Sequence, residues 1–186
     1  MEKLYIALVN ADGLFAGMIR KAIKIEYCHV VLSLDREFEE AYSFNRRNPA
    51  IPYFSGFVRE DAQKLVKKSP EIYYKIMSIP CTKEQKEAIR HTLLALYEDR
   101  YSYHYCVLGL PFILMQVPFY QKNHYTCSSF TARLLKDYGI DLFDKHFSLV
   151  TPRDFYELQN TTPEYEGLLS DYIGAGGAWK EEEYAV

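Results

Sequence analysis

Between Glu26 and Asp35 the chain reads EYCHVVLSLD, a short run dense in apolar and β-branched residues. A run of this length and make-up is a strand rather than a helix. REFE supplies a turn, and EAYSFNRR returns as a second strand, so the two predict a β-hairpin. Alternation along the first strand sends His29, Val31, Ser33 and Asp35 one way and Cys28, Val30, Leu32 and Leu34 the other. The second set is uniformly apolar and marks a core face. The first is mixed, as expected at a rim. A half-apolar hairpin needs other elements packed against it, and the remaining sequence supplies both kinds.

KLYIALVN, near the start, reads as a strand, and GLFAGMIRKAIKI after it carries apolar residues at helical spacing. NPAIPYFSGFV is broken by Pro49 and Pro52 and is predicted to be a loop. REDAQKLVKKSP is read as a short helix and EIYYKIMSIP as a strand. The clearest helix follows in CTKEQKEAIRHTLLALYEDRY, with Thr82 and Gln85 spaced as a capping box and Ala88, Ile89, Leu93 and Leu96 as its apolar stripe. HYTCSSFTARLLKDYGI predicts another helix, opened by Cys127 and closed by Gly139. TPRDFYEL has Thr151 as N-cap and Pro152 in the first turn. The pattern is α+β: a small antiparallel sheet with helices packed against it. It is read as one domain over residues 1–186, with a partly mobile tail over 160–186.

The chain has 186 residues, 48% of them hydrophobic, which suffices for one sizeable core. A net charge of −3 gives no reason to expect a nucleic-acid partner. The 17 Tyr and 11 Phe suit an aromatic core with tyrosines at its margin, and are compatible with a homodimer. MEKLYIALVNADG is a poor signal peptide. The cysteines, Cys28, Cys81, Cys106 and Cys127, form no C-x-x-C pair, so reduced thiols and a cytoplasmic location are expected. Their spacings to histidine fit no common zinc pattern, and neither metal nor cofactor is expected. The longest apolar run, Cys106 to Tyr120, falls short of the roughly 20 residues that span a bilayer. No stable membrane insertion is expected. The run reads as a buried segment or pocket wall, with a lipid-facing lip as the sharper alternative.

A thiol at a helix start is unusual where oxygen side chains are preferred, and Ser128 and Ser129 stand beside it. A free cysteine has a pKa of about 8.5, which a helix N-terminus or a neighbouring imidazolium lowers. The amides at that end also favour the oxyanion of an acyl intermediate. His29, inside an apolar strand, is the candidate base. His104 and His124 compete with it, while His91 and His146 read as surface histidines. Taken singly, Cys127 and His29 are equally well read as a buried thiol and a hydrogen-bonded strand histidine.

Together, CHVVLSLD, EEAYSFNRR, YTCSSFTARLL and TPRDFYEL resemble the circularly permuted papain-like cysteine hydrolases of the YiiX/YebB type, within the NlpC superfamily and related to the lecithin retinol acyltransferase group. The resemblance spans roughly residues 1–160. It implies a histidine strand preceding the cysteine helix, with Cys127 as nucleophile and His29 as base and then acid. A third group from the second hairpin strand would orient the imidazole. Glu40 fits the family's E-A pair, Ser43 and Asn45 lie on the His29 side by alternation, and Tyr42, which reads as core-facing, completes the set of candidates. Tyr125 would shape the oxyanion or substrate pocket. The resemblance implies thiol-dependent hydrolysis of an amide, peptide-like bond. Transfer of an acyl group, thioesterase-like chemistry and a non-catalytic binding module are the alternatives. The expected partner is a small peptide-like or acyl substrate.

Overall fold

Strand β1 (Glu2–Asn10) carries Leu4, Ile6 and Leu8 on one side and Ala7 and Val9 on the other, and both sets are buried. Such a strand has to lie inside a sheet covered on both faces. The computed structural model describes residues 1–10, 17, 20–21, 24–46 and 55–174. In it β1 is flanked by β2 (His29–Ser33) and by β5 (Tyr73–Cys81). The sheet has eight strands in the order β7-β6-β4-β3-β2-β1-β5-β8, with β3 at Ala41–Arg46, β4 at Ser55–Arg59, β6 at His104–Tyr105, β7 at His124–Tyr125 and β8 at Thr162–Leu168. Neighbours are antiparallel except β6 and β7, which run parallel. The fold is α+β, with a larger and more mixed sheet than the sequence suggested.

Helices cover the two faces. On one, Leu4, Ile6, Leu8, Val30, Leu32, Phe44 and Phe57 pack with Ile89 and Leu93 of α2 (Lys83–Glu98) and with Phe130, Leu134 and Leu135 of α4 (Cys127–Asp137). Phe155 of α5 (Pro152–Tyr156) joins the same cluster. Each large apolar side chain so buried contributes roughly 1.5–3 kcal/mol. On the other face Ala7, Val9, Val31 and Tyr74 pack with Leu169 and Tyr172 of α6 (Leu169–Gly174), and α1 (Ala62–Lys68) adds Leu65 and Val66 at the edge. The β2–β3 register runs Leu32–Tyr42 and Ser33–Ala41. Towards His29 that ladder stops, which leaves the start of β2 open.

Three expectations change. Of the predicted loop, Ser55 to Val58 belong to strand β4, which runs on to Arg59, and Phe57 is fully buried. The prolines bar pairing only where they stand, and none lies in Ser55–Arg59. Of the tail expected to be mobile over 160–186, Thr162–Leu168 pairs with β5 and Leu169–Gly174 is helical. Residues 175–186 lie outside the described residues, as does most of the helix expected at 13–25. The apolar run after Cys106 forms α3 (Gly109–Leu114) but is not buried: Leu108, Leu114 and Met115 are all at least 60% exposed. Among the described residues no helix is long and apolar enough to cross a membrane.

Candidate active site

Helix α4 shows why a thiol can stand at its start. The N-cap is Thr126, whose hydroxyl accepts from the Ser129 amide at 3.1 Å, while the Ser129 hydroxyl accepts from the Thr126 amide at 2.9 Å. This reciprocal cap contributes about 1 kcal/mol. The Ser128 hydroxyl donates to the Val150 carbonyl at 2.7 Å and ties the helix start to the following loop. The hydroxyls thus take the structural work, and Cys127 occupies the first helical position with no capping duty. Its own N–H is one of the amides that a helix cannot satisfy internally. Gly139, at φ +76°, closes the helix in the left-handed conformation, as its place in the sequence predicts.

Cys127 and His29 meet in this structure. Their side chains are hydrogen-bonded, and the backbone N–H groups of Val30 and Ser128 donate to the sulfur. Burial by itself would raise the Cys127 thiol. The imidazolium of His29 and the two amides outweigh it, and the pKa falls below that of an ordinary thiol. Burial by itself would likewise pull His29 down. The Cys127 thiolate and then the Glu60 carboxylate reverse that and push it up to about 10. The state that both shifts favour is a thiolate–imidazolium pair.

Behind the imidazole stands Glu60, a residue that the sequence pattern did not single out. Its Oε1 lies 3.3 Å from His29 Nε2, accepts from Asn45 Nδ2 at 3.1 Å, and accepts a short hydrogen bond from the Ser43 hydroxyl. With Nε2 engaged by Glu60, Nδ1 is the ring nitrogen left for the sulfur. Burial would raise the Glu60 carboxyl, but His29 first and then the Ser43 and Asn45 donors hold it below the usual range, so the group stays ionised. Its charge in turn adds to burial in pushing the Tyr74 phenol upward. The alignment has a simple origin. Glu60 follows β4 directly, with its amide bonded to the Ala41 carbonyl at 2.8 Å. The β3–β4 register pairs Ser43 with Val58. Alternation then puts Ser43, Asn45, Val58 and Glu60 on one face of adjacent strands, the face that His29 shares.

The other expected site residues are placed differently. Glu40 is on the opposite parity and points to α2, where Arg90 Nε donates to its Oε2 at 3.0 Å. The structure therefore gives the carboxylate behind His29 to Glu60 and makes Glu40 a tether between the hairpin and α2. Ser43 and Asn45 hold the carboxylate rather than the imidazole. Tyr42 is buried and its ring stacks on Phe57 at 5.8 Å. The Tyr125 ring packs edge-on against Phe44 and Phe130, and its hydroxyl lies 3.2 Å from that of Tyr120. Tyr105, on β6, is the tyrosine whose phenol is sensitive to Cys127: burial raises it most, and the charge of Cys127 raises it further. Cys28 is buried, with its sulfur 3.8 Å from the Val9 carbonyl.

No disulfide joins Cys28, Cys81, Cys106 and Cys127. Among the described residues no group of three or more His, Cys, Asp or Glu side chains is arranged to hold a metal ion. No protein-family model matches the chain, and no curated protein matches it.

Proposed function

We propose that this protein is a cysteine hydrolase of the circularly permuted papain-like type, cleaving an amide bond through a covalent intermediate on Cys127. The observation that carries the proposal is the buried Cys127–His29 pair at the start of α4, backed by the Glu60 carboxylate. The chain order, histidine strand before cysteine helix, fits the permuted arrangement of the YiiX/YebB-type enzymes.

In the proposed reaction the thiolate attacks the carbonyl carbon, and the oxygen gains charge beside the amide of Cys127, where the helix end favours it. As the C–N bond breaks, the His29 imidazolium gives its proton to the leaving amine. A water molecule then attacks the thioester carbonyl, His29 takes its proton, and the C–S bond breaks to restore the thiolate. Glu60 touches neither substrate nor sulfur. It keeps the ring oriented and stabilises its charged form, a positioning role shared with Ser43 and Asn45. The four cysteines are buried and form no disulfide, which suits a reducing compartment, so the proposed location is the cytoplasm.

Transfer of the acyl group to an acceptor other than water is the second reading. It is favoured by the exposed apolar segment that starts at Val107, two residues beyond Tyr105. Intact-mass measurement of acid-quenched mixtures with a panel of N-acyl peptide amides tests the proposal. An adduct of the acyl portion is expected on the wild type and not on Cys127→Ala or His29→Ala. No adduct with any amide, together with alkylation of Cys127 at the rate of an ordinary thiol, would make the fold a non-catalytic binding module.

A further inference from the structure

β7 is an edge strand of the sheet, and it runs parallel to β6 with His124 opposite His104. The two histidines are far apart in sequence and form no motif there, so only this pairing brings them together. Partners in a parallel ladder point to the same face. The two imidazoles accordingly stand side by side, with ring centroids 5.1 Å apart and planes inclined at 39°. His104 is exposed and His124 half-buried, so solvent reaches both. The thiol chemistry proposed above uses neither of them.

The His124 ring is held in one tautomer. Its Nδ1 lies 2.8 Å from the Lys122 carbonyl oxygen, which can only accept, so Nδ1 carries the hydrogen. A neutral His124 therefore keeps its lone pair on Nε2. Metal-ligating histidines are commonly fixed in this way, with the second ring nitrogen donating to a backbone carbonyl or a carboxylate. The ring separation also fits an ion. At a zinc–nitrogen distance of about 2.0–2.1 Å the ion would lie roughly 3.2 Å from each ring centre, and centres 5.1 Å apart then subtend about 105° at it, close to a tetrahedral angle. Backbone bonds hold the pair in register. The His104 amide donates to the Asn123 carbonyl at 2.9 Å, and the His124 amide to the Gln121 carbonyl at 3.0 Å.

We propose that His104 and His124 together bind a divalent metal ion of the zinc type, for which imidazole is a favoured ligand. Two protein ligands, with water in the remaining positions, make an open and exchangeable site. It differs from the enclosing group of three or more His, Cys, Asp or Glu side chains, which is absent among the described residues. Because β7 leads through Thr126 directly into α4, the ion ties down the strand that precedes Cys127. Its binding does not depend on the thiol chemistry proposed above.

Isothermal titration of the full chain with zinc chloride tests it, in the wild type and in Cys127→Ala, because a thiolate also binds zinc. With the thiol removed, one ion per chain is still expected. His104→Ala and His124→Ala, each made in the Cys127→Ala chain, should weaken zinc binding by about 10–100-fold or more, since losing a direct ligand costs at least as much as losing a residue that supports one. His91→Ala, at an exposed position on α2, should leave binding unchanged. An unchanged circular dichroism spectrum checks that each variant folds. Zinc uptake by the wild type but not by Cys127→Ala assigns the ion to the thiolate and overturns the proposal, as does no uptake by either. Undiminished binding by a folded His104→Ala or His124→Ala chain overturns it too, and so does an equal loss in His91→Ala.

Discussion

Glu60→Gln removes a charge from behind the imidazole and keeps the side chain's shape. Glu60 and His29 are each only 12% exposed and lie 3.3 Å apart, so water screens their interaction little. A hydrogen bond to a charged group contributes about 1.5–3 kcal/mol. At 1.36 kcal/mol per pKa unit this lowers the imidazolium by about 1–2 units. The thiolate–imidazolium pair becomes less favourable by the same amount relative to thiol and neutral imidazole. Because His29 is pushed up to about 10, it keeps its proton in mild acid even in the variant, and the loss appears on the alkaline side. The imidazole NMR signals of His29, followed against pH, read this directly. In the variant the imidazolium should give up its proton about 1–2 pH units earlier than in the wild type. In mild acid both proteins should carry the imidazolium, and iodoacetamide should alkylate Cys127 at similar rates. An unshifted alkaline titration of His29 would refute the reasoning, because the carboxylate would then have no bearing on the charge of the pair.

Glu40→Gln should leave the alkylation profile unchanged, and should cost about 0–1 kcal/mol in urea denaturation, because its Arg90 partner is partly solvated. Gly139→Ala should destabilise by about 1–2 kcal/mol in thermal unfolding. The nearest atom to the added Cβ is 3.7 Å away, so the cost comes from the positive φ rather than from a clash. Ser43→Ala leaves Glu60 without one of its donors and should raise the Glu60 carboxyl towards the usual carboxylate range, read by carbon NMR of the carboxyl against pH, with Ser43→Thr recovering part of the shift. The stability that the pair adds should be greatest between the unfolded pKa values of histidine and cysteine, about 6.5 and 8.5. Below that window the unfolded histidine takes up a proton while the folded Cys127 is still a thiolate, so stability falls as pH drops. Above it the unfolded cysteine ionises while the folded His29 keeps its proton to about pH 10, so stability falls as pH rises. Urea denaturation of the wild type and Cys127→Ser across pH checks this through their difference.

The strands β1, β2, β3 and β5 and the helices α2 and α4 are legible because each has a strong period and a local cap. Thr82 with Gln85 and Gly139 are such signals, and both fall where the structure uses them. At Cys127 the helix also starts where the sequence puts it, with Thr126 and Ser129 forming the cap. Glu60 was hidden for a different reason. It sits in VRED, a charged stretch that reads as the solvated start of a helix, after a segment whose prolines suggest a loop. Had Ser55–Arg59 been read as a strand, alternation would have put Glu60 on the same face as Ser43. Glu40 had the local pattern but the wrong parity, and alternation along β3 alone was enough to turn it towards Arg90. The exposure of Leu108, Leu114 and Met115 has no local signal, because an apolar run looks the same in a core and on a surface. Likewise β8 is held by pairing with β5, a contact across more than 80 residues of chain.

The most direct test is the ultraviolet absorbance of the thiolate, titrated in the wild type and in Cys127→Ala, with the difference assigned to Cys127. The account predicts that this difference is already present below the pH at which an ordinary thiol ionises, and that His29→Ala abolishes it there. A difference that emerges only near pH 8.5 or above in the wild type would show a protonated thiol beside a neutral histidine, and would contradict the charged pair.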